Sequence, residues 1–440
     1  MKILILDTYK EATHRISKDT SGGYGTGNNF GDSIFTNFLK KTLKKIHDWP
    51  PMFAVYTFSV LMEKGHDVDF LKELPEDFEK YDLFIVASSI VCCETELGLI
   101  KKIKNKRNNI FAIGPFATNK PKIYSEAGAT VISGEPEFYF LQENNLEEDL
   151  KKDLIIVSHN FELDDLPFPH WDKIIKNTKK VSMLFGNYST LPILATRGCP
   201  YSCFKYCVYP LQQGRKVRQR SPKKIVDEMV YWKNKMNIGM FVFRDPVFSI
   251  NKKHTIEFAE ELISRKLNLK FIIETHLRIL DEELIKILKK AGLKGTKVGV
   301  ESADSSVLNN ANRFTIEKDE QYKKIRELED NKIQVSAMFI LGFPSDTEDT
   351  MSNTINYAKQ LNTTYAQFSV WTPYPGTPIF EEYKDKILAK TYEEYDQYNL
   401  IYKHDILTEN KVRQYLEKSY EKFYLRFSWI KKFVFSFVSG

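Results

Sequence analysis

Three of the five cysteines in this chain stand within nine residues, in the stretch RGCPYSCFKYCVYP. Cys199, Cys203 and Cys207 have the spacing C-x3-C-x3-C. Thiolates are soft ligands, and groups of them select zinc or iron–sulfur centres. Zinc sites usually come as two separated cysteine pairs or with paired histidines. A single tight group of three better suits a four-iron, four-sulfur cluster with one open iron, and a zinc site is the alternative.

The second half of the chain must position this loop, and it alternates strand-like and helix-like segments from about residue 189 to 376. Six units of this kind predict a partial (β/α)6 barrel in an α/β protein. In such barrels the chemistry lies at the carboxyl ends of the strands. The cysteine loop follows one predicted strand, and Asp245, Glu274, Glu301 and Gly342 fall at the ends of others.

The first region, to about residue 145, has the same alternation and predicts a Rossmann-like (flavodoxin-like) domain with an open parallel sheet. Its predicted strands end at residues 87–89, 114–116 and 134–135, which are small or turn-forming. Such ends allow a large flat ligand to approach the backbone. The glycine-rich stretch SGGYGTGNNFGDS lacks the phosphate-binding P-loop pattern. It predicts a lid near the ligand, with an ordinary loop as the alternative.

These patterns divide the chain into residues 1–145, a charged and proline-broken linker at 146–188, the barrel at 189–385 and a tail at 386–440. The tail is aromatic and basic, which predicts a helical cap on the barrel. The alternative is an interfacial amphipathic segment that lies on a membrane. That segment would place Lys431 and Lys432 beside a set of large apolar residues, namely Trp429, Phe433, Phe435 and Phe437.

Composition indicates a folded globular protein, because 42% of the residues are hydrophobic and 28% are charged. The net charge of +6 is a weak bias over 440 residues. This charge does not favour nucleic acid as a binding partner, and it is compatible with an anionic substrate or membrane surface. The N-terminus lacks the signal-peptide pattern, and an odd number of cysteines does not form a disulfide framework. We therefore expect a cytoplasmic protein, with peripheral membrane contact through the tail as an added possibility.

The cysteine loop resembles that of the radical S-adenosylmethionine (SAM) superfamily, whose usual motif is C-x3-C-x2-C with an aromatic residue before the last cysteine. Tyr206 precedes Cys207, and the chain departs from the motif by one extra residue after Cys203. The N-terminal domain and LDDLPFPHWD extend the resemblance to the cobalamin-binding-domain subfamily. Further similar segments are FVFRDPVFS (241–249), VGVESADSSVL (298–308), FILGFPSDTEDT (339–350) and TPYPGTPIF (372–380).

The resemblance implies that Cys199, Cys203 and Cys207 ligate a [4Fe–4S] cluster whose open iron binds the methionine part of SAM. Reductive cleavage of SAM then gives a 5′-deoxyadenosyl radical, with an electron from an external flavodoxin- or ferredoxin-type donor. Arg278 is expected to hold the methionine carboxylate. The predicted SAM-binding residues are Tyr206, Asp245, Glu274, Arg278, Glu301, Gly342, Phe343 and Pro344.

The resemblance also implies cobalamin at the sheet edge, with contacts from Ser88, Ser89, Gly114, Pro115, Gly134 and Glu135. The D-x-H-x-x-G motif of members with a lower histidine ligand is absent, and His14 and His66 are isolated. The expected function is radical chemistry on a small-molecule or lipid-like substrate, with cobalamin-dependent C-methylation as its default form. The alternatives are a cobalamin-free radical SAM enzyme and a zinc-stabilised barrel protein without activity. No residue is predicted to react with the substrate itself.

Overall fold

A computed structural model describes residues 1–44, 49–142, 144–158, 160–175, 180–181, 188–314 and 316–438. Within these ranges, the side chains of Lys180, Val181, Phe204 and residues 433–438 are not described. Residues 176–179 and 182–187 of the predicted linker, and the side chains of Phe433, Phe435 and Phe437, therefore lie outside the described residues.

The N-terminal domain is a parallel sheet with helices on both faces. Its strand Leu83–Ala87 is fully buried along its whole length, as expected for a strand covered on both sides. The strands are β1 (Lys2–Leu6), β2 (Ile16–Ser17), β3 (Thr26–Gly27), β4 (Asp67–Leu71), β5 (Leu83–Ala87), β6 (Ile110–Ile113), β7 (Thr130–Ser133) and β8 (Leu154–Ile156). The helices are α1 (Ile34–Lys44), α2 (Met52–Glu63), α3 (Cys93–Lys104), α4 (Pro115–Asn119), α5 (Pro121–Ala127), α6 (Pro136–Leu141) and α7 (Leu146–Asp149).

The strand order of this sheet is β4-β1-β5-β6-β7-β8, with every neighbouring pair parallel. This order is flavodoxin-like and confirms the predicted fold of the domain. Strand β8 lies within residues 146–188 and pairs with β7, so the sheet continues into the segment that the sequence assigns to the linker. The order reverses between β1 and β5, and ligands of such sheets bind at this switch point. The short hairpin β2–β3 lies in the segment that follows β1.

The second sheet is the predicted partial barrel. Its strand order is β17-β16-β15-β14-β13-β10-β9, with β10 and β13 to β17 parallel and β9 antiparallel to β10. The strands are β9 (Lys180–Val181), β10 (Tyr188–Ile193), β11 (Thr196–Arg197), β12 (Arg218–Gln219), β13 (Met240–Phe243), β14 (Lys270–Thr275), β15 (Leu293–Glu301), β16 (Gln334–Leu341) and β17 (Tyr365–Val370). The helices are α8 (Trp171–Ile174), α9 (Tyr209–Gln213), α10 (Pro222–Met236), α11 (Lys252–Ser264), α12 (Glu282–Ala291), α13 (Ser305–Asn310), α14 (Lys318–Asp330), α15 (Glu348–Leu361), α16 (Pro378–Tyr383), α17 (Glu409–Tyr424) and α18 (Phe427–Val438).

Burial alternates along β15, β16 and β17. Residues on one face, such as Val298, Ala337 and Phe368, are buried under the outer helices. Residues on the other face, such as Lys297 and Ser336, are only partly buried. Because successive side chains point to opposite faces, this second face lines the inside of the curled sheet. The lumen of the partial barrel is therefore polar and reachable by solvent.

The predicted C-terminal helical cap is confirmed by α17, which packs along the edge strand β17. The hydroxyl of Tyr420 donates to the carbonyl of Phe368 at 2.8 Å and accepts from its N–H at 3.2 Å. Tyr424, one helical turn later, makes the same pair of bonds with Ala366. These bonds occupy edge groups that another strand would otherwise pair with. Over the described residues, we find no helix with the length and apolar character that crossing a bilayer requires.

Candidate active site

The three cysteines lie where β11 ends, at the carboxyl edge of the barrel. The backbone N–H of Cys207 donates to the carbonyl of Cys203 at 3.0 Å, so the two residues are one helical turn apart and face the same way. The Cys207 thiol donates to Cys203, which lowers the pKa of Cys203 to about 7 and raises that of Cys207. Cys199 lies within electrostatic reach of both. The structure therefore brings the three thiols together.

The extra residue of the motif is taken up by a 3₁₀ turn over Ser202–Lys205. Lys205 points outward and lies 3.6 Å from Glu382. With three residues between Cys203 and Cys207, one turn of helix aligns their side chains. The C-x3-C spacing is thus compatible with ligands that converge on one cluster.

Arg313 lies beside the sulfur of Cys203, and the sequence did not single it out. Its guanidinium lies 3.9 Å from the sulfur of Cys203 and 3.1 Å from the carboxylate of Glu301. Burial raises the pKa of Glu301, and Arg313 opposes that shift. A Cβ at Gly299 would stand 2.7 Å from the Arg313 guanidinium, so a larger residue there would displace the Arg313 side chain. A basic residue a few positions after the G-x-E-S segment is the only sequence signal for Arg313.

Glu301 itself has an unusual backbone. Its φ is 66°, in the left-handed region that non-glycine residues rarely adopt. The pairing of β15 with β16 shifts in register between Gly299 and Glu301. Such irregularities at strand ends redirect a side chain and are common beside active sites. Here the bulge places the carboxylate next to Arg313 and the cysteine loop.

The contacts of Asp245 and Arg278 with SAM stay predictions, and both side chains already have partners within the protein. Asp245 is fully buried, and its carboxylate accepts from the backbone N–H groups of Ala195 and Thr196. Burial raises its pKa to about 6, against those donors. It therefore anchors the chain that leads into the cysteine loop. Arg278 is exposed and stacks on Phe314, with 4.4 Å between the guanidinium and the ring centre. Of Arg278 and Arg313, only Arg313 has an observed contact with a cysteine of the loop.

Glu274 and Lys297 face each other from neighbouring strands on the lumen side. Among the described residues, neither side chain forms a hydrogen bond or an ion pair. Burial raises the pKa of Glu274, and Lys297 and Arg244 oppose that shift. Burial, together with Arg244, lowers the pKa of Lys297, and Glu274 opposes it. The lumen thus holds one acidic and one basic side chain that have no hydrogen-bond or ion-pair partner among the described residues.

The turn Gly342-Phe343-Pro344 lies beside Tyr206, whose ring meets that of Phe343 edge-on at 6.1 Å. The C-terminal region already uses its carbonyls. Tyr402 donates to the carbonyl of Gly342 at 2.9 Å, and His404 contacts the carbonyl of Phe343 at 2.8 Å. Contacts of this turn and of Tyr206 with SAM stay predictions, and the structure shows that the turn is held in place from the side of the tail.

The carboxyl edge of the N-terminal sheet is closed. Ser88 and Ser89 are fully buried, and their hydroxyls bond Ala117 and Glu96. The N–H of Gly134 donates to Thr118 at 2.9 Å. Gly114 and Pro115 are buried as well, and Phe53 and Gly23 pack against them. These predicted cobalamin-binding residues are therefore hydrogen-bonded or packed against other residues of the protein.

Residues 15–27, which we call the sealing segment, cover this edge. Lys18 is fully buried at the switch point, 2.8 Å from Glu96 and 3.4 Å from Asp7, and it donates to the carbonyl of Ala87 at 3.1 Å. Burial would lower the pKa of Lys18, but Glu96 and Asp7 more than reverse this and raise it. Next to Lys18, Asp19 pairs with Arg244 of the barrel at 2.8 Å. A Cβ at Gly25 would lie 2.5 Å from Val91, so only glycine fits there.

Glu135, the last predicted cobalamin-binding residue, joins the two domains, and its contact with cobalamin stays a prediction. Arg197, two residues before Cys199, bridges Glu135 and Glu137, and all three side chains are buried. Arg218 adds a second contact to Glu135 at 2.7 Å. Burial raises the pKa of Glu137, against Arg197. This network fixes the cysteine loop to the N-terminal domain.

These observations test which cofactors fit. Across the described ranges, no three His, Cys, Asp or Glu side chains are grouped as ligands of one ion. An iron–sulfur cube, however, binds each thiolate through a different iron, so its ligands surround it. The cysteine loop with Arg313 and Glu301 fits a cluster and SAM. The cavity at the domain junction, lined by Gly22, Phe53 and Arg197 among others, measures about 40 Å³. It has room for a few waters, so a corrin ring fits only if the sealing segment withdraws.

Comparison with known proteins agrees with this arrangement. Residues 193–358 match the model of the radical SAM superfamily. An uncharacterised methyltransferase of Pyrococcus horikoshii is 25% identical over 415 residues, which cover 86% of this chain and 88% of that protein. An anaerobic magnesium-protoporphyrin IX monomethyl ester cyclase of Cereibacter sphaeroides is 33% identical over 262 residues, 59% of this chain and 42% of the cyclase. This chain thus matches less than half of the cyclase.

Among solved structures, the fold is similar to that of TsrM from Kitasatospora setae, a radical SAM methyltransferase determined with cobalamin and a [4Fe–4S] cluster bound. The TM-score is 0.62 at 16% identity, and the match covers 87% of this chain and 78% of TsrM. A [4Fe–4S] cluster and SAM are the cofactors that a radical SAM domain implies. Residues 193–358 therefore form a radical SAM domain, and the chain as a whole shares the fold of TsrM.

Proposed function

We propose that this protein is a radical SAM methyltransferase that acts on a small polar molecule bound in the barrel lumen. The observation that carries the proposal is the meeting of Cys199, Cys203 and Cys207 with Arg313 and Glu301 at the carboxyl edge of the barrel. Methyl transfer is supported by the uncharacterised methyltransferase, which this chain matches over 88% of its length, whereas the match covers only 42% of the cyclase. Cobalamin as methyl carrier is supported by the shared fold with TsrM, and it requires the junction to open.

In this proposal the three cysteines hold a [4Fe–4S] cluster, which supplies the electron that cleaves SAM. Arg313 binds the carboxylate of the methionine part, because its guanidinium is adjacent to Cys203 and presents paired donors. Glu301 orients Arg313 and accepts from the amine or ribose of SAM. Asp245 and Arg197 keep the loop in place from below and from the N-terminal domain.

The open acid and base of the lumen bind the substrate. Lys297 pairs with an acidic group of the substrate and Glu274 with an amine or hydroxyl, which ends the unpaired state of both side chains. Ser336 lies beside Lys297 in the neighbouring strand and adds a hydroxyl at the same height. A zwitterionic or acid-bearing molecule, including the polar end of a lipid-like one, matches this set. We expect Lys297→Met to raise KM about tenfold or more with little change in kcat once the substrate is known.

Radical SAM enzymes use small-molecule substrates and an external reductant. We propose that the reductant here is a flavodoxin- or ferredoxin-type protein and that the enzyme works in the cytoplasm. The support is that five cysteines without a disulfide, three of them grouped for a cluster, suit a reducing compartment.

Anaerobic reconstitution of two cysteine variants tests the function. The wild type is expected to hold about four irons per chain and to release 5′-deoxyadenosine and methionine from SAM when reduced. Cys203→Ala should lose the cluster and this activity, because two thiolates remain at the site. Cys92→Ala is the matched control, since Cys92 is a buried cysteine of the N-terminal domain. A fully reduced wild type that holds iron but leaves SAM intact would contradict the proposal, and one zinc per chain in place of iron would favour a structural metal.

A further inference from the structure

Helix α1 leaves two large apolar side chains on the surface. It packs Phe35, Leu39 and Leu43 against the core, while Ile34 is 94% and Phe38 63% exposed. A surface helix normally buries its apolar residues and exposes its polar ones. The two exposed apolar side chains of α1 indicate that something else covers this side of the helix.

The orientation of α1 is fixed by contacts with α17. Glu417 accepts from the backbone N–H groups of Asp32 and Ser33 at the start of the helix. Arg413 pairs with Asp32 at 3.0 Å and donates to the carbonyl of Asn29 at 2.7 Å. Lys40 reaches Asp32 at 3.1 Å from the buried side. The exposed apolar residues therefore belong to a rigid surface.

This surface continues onto the C-terminal helices. An open groove between α1 and α17 is lined by Ile34, Phe35, Phe38 and Leu425. Leu425 is followed by Phe427, which is 81% exposed, and by the exposed Ile430. We define the apolar face as Ile34, Phe38, Leu425, Phe427 and Ile430. Contiguous exposed apolar residues of this size mark an interaction site.

The charges around the apolar face favour one kind of occupant. Helix α1 contains no acidic residue and exposes Lys41 and Lys44, while Lys40 is buried on its other side. Glu421 also lines the groove, and after it the sequence from Lys422 to Gly440 contains four basic residues and no Asp or Glu. Large apolar residues bordered by lysines are typical of helices that lie in the headgroup region of anionic bilayers. A second copy of this chain would bring these basic margins against each other.

We propose that the apolar face docks this protein on the surface of an anionic lipid bilayer, with α1 and α18 lying in the interface. This extends the interaction beyond the tail to a helix near the N-terminus. It does not depend on radical SAM chemistry.

Co-sedimentation of the cluster-loaded, full-length protein with lipid vesicles tests the proposal. We expect binding to phosphatidylcholine vesicles that contain phosphatidylglycerol, and much weaker binding without it. Ile34→Ser combined with Phe38→Ser should weaken binding at least about tenfold, because both side chains lose their burial in lipid. Lys41→Gln should weaken it about fivefold. Neither change should alter the melting temperature or iron content, since these side chains are exposed.

The matched control is Ile156→Ser, which removes an apolar side chain that is 79% exposed on the edge strand β8. It should bind vesicles as the wild type does. The proposal fails if the wild type stays in the supernatant with anionic vesicles, or if the double variant binds unchanged. It also fails if the wild type forms a dimer that the double variant does not, because a second copy would then cover the face.

Discussion

At the carboxyl edge of the barrel, Glu274 and Lys297 remain partly exposed and lack ion-pair partners in the described part of the chain. At the carboxyl edge of the N-terminal sheet, Ser88, Ser89 and Lys18 are fully buried, with every hydroxyl and ammonium bonded. Both edges are the places where parallel sheets bind ligands. The edge of the barrel keeps charged side chains without protein partners, whereas the edge of the N-terminal sheet is filled by protein side chains.

The difference distinguishes charged residues that are available to bind a ligand from charged residues that stabilise the fold. An unpaired charge inside a protein costs free energy, so it persists where a ligand completes it. A fully paired network, such as Lys18 with Asp7 and Glu96, is complete without a ligand. This difference supports the barrel edge as the proposed place for chemistry, while the sheet edge forms part of the domain interface.

The largest effect is expected when the sealed edge loses its cation. Lys18→Met leaves Asp7 and Glu96 buried without a counter-ion, which should lower the free energy of unfolding by about 3–5 kcal/mol. Because such carboxylates bind protons more tightly in the folded chain than in the unfolded chain, the variant should regain stability as the pH falls. Denaturant unfolding at several pH values measures the loss in the free energy of unfolding and its dependence on pH.

The control for Lys18 is Lys122→Met, which breaks an exposed pair with Glu126 and should change stability little. Equal, small effects of the two variants would mean that the sealed edge is not held by its charges.

The next effect concerns the open edge. Arg313→Gln should slow SAM cleavage about a hundredfold with iron content unchanged, because SAM loses the group that positions it. Arg313→Lys keeps the charge but not the paired donors, and only part of the rate should return. Turnover of SAM to 5′-deoxyadenosine per cluster is the measurement.

Arg278→Gln is the comparison for Arg313, since Arg278 was the cation that the sequence favoured. It is exposed, and its loss should change the rate less than about threefold. If Arg278→Gln proved the more damaging change, the assignment of the carboxylate partner would return to Arg278.

The smallest expected effect concerns a test of whether the sealed edge opens. If cobalamin enters the junction, the sealing segment must leave it, and the peptide bond after Lys18 becomes accessible. Trypsin should then cut there about tenfold faster in protein loaded with hydroxocobalamin than in protein without it. Peptide mass spectrometry follows the cut, with the exposed Lys122 as the internal reference. Cobalamin held in stoichiometric amount with Lys18 still protected would place its site elsewhere.

The alternation of apolar and polar residues was sufficient to predict both sheets and to place Glu274, Glu301 and the cysteines at strand ends. It did not predict Arg313, because the turn after α13 brings that residue back to the site through contacts distant in sequence. Nor did it show that Ser88 and Gly134 are closed, since this depends on Lys18 and Thr118, far from them in the chain. Strand β8 was missed because its three residues, Leu154–Ile156, carry too short a pattern.

The left-handed backbone of Glu301 has a consequence for directed evolution. A glutamate in that conformation costs about 1–3 kcal/mol, which glycine would largely recover. A library of this gene sorted for thermal tolerance alone should therefore enrich glycine at position 301, and those clones should be inactive. Sorting for SAM turnover should return glutamate. The frequencies of glycine and glutamate at position 301 would then show whether a population was selected for thermal stability or for catalysis.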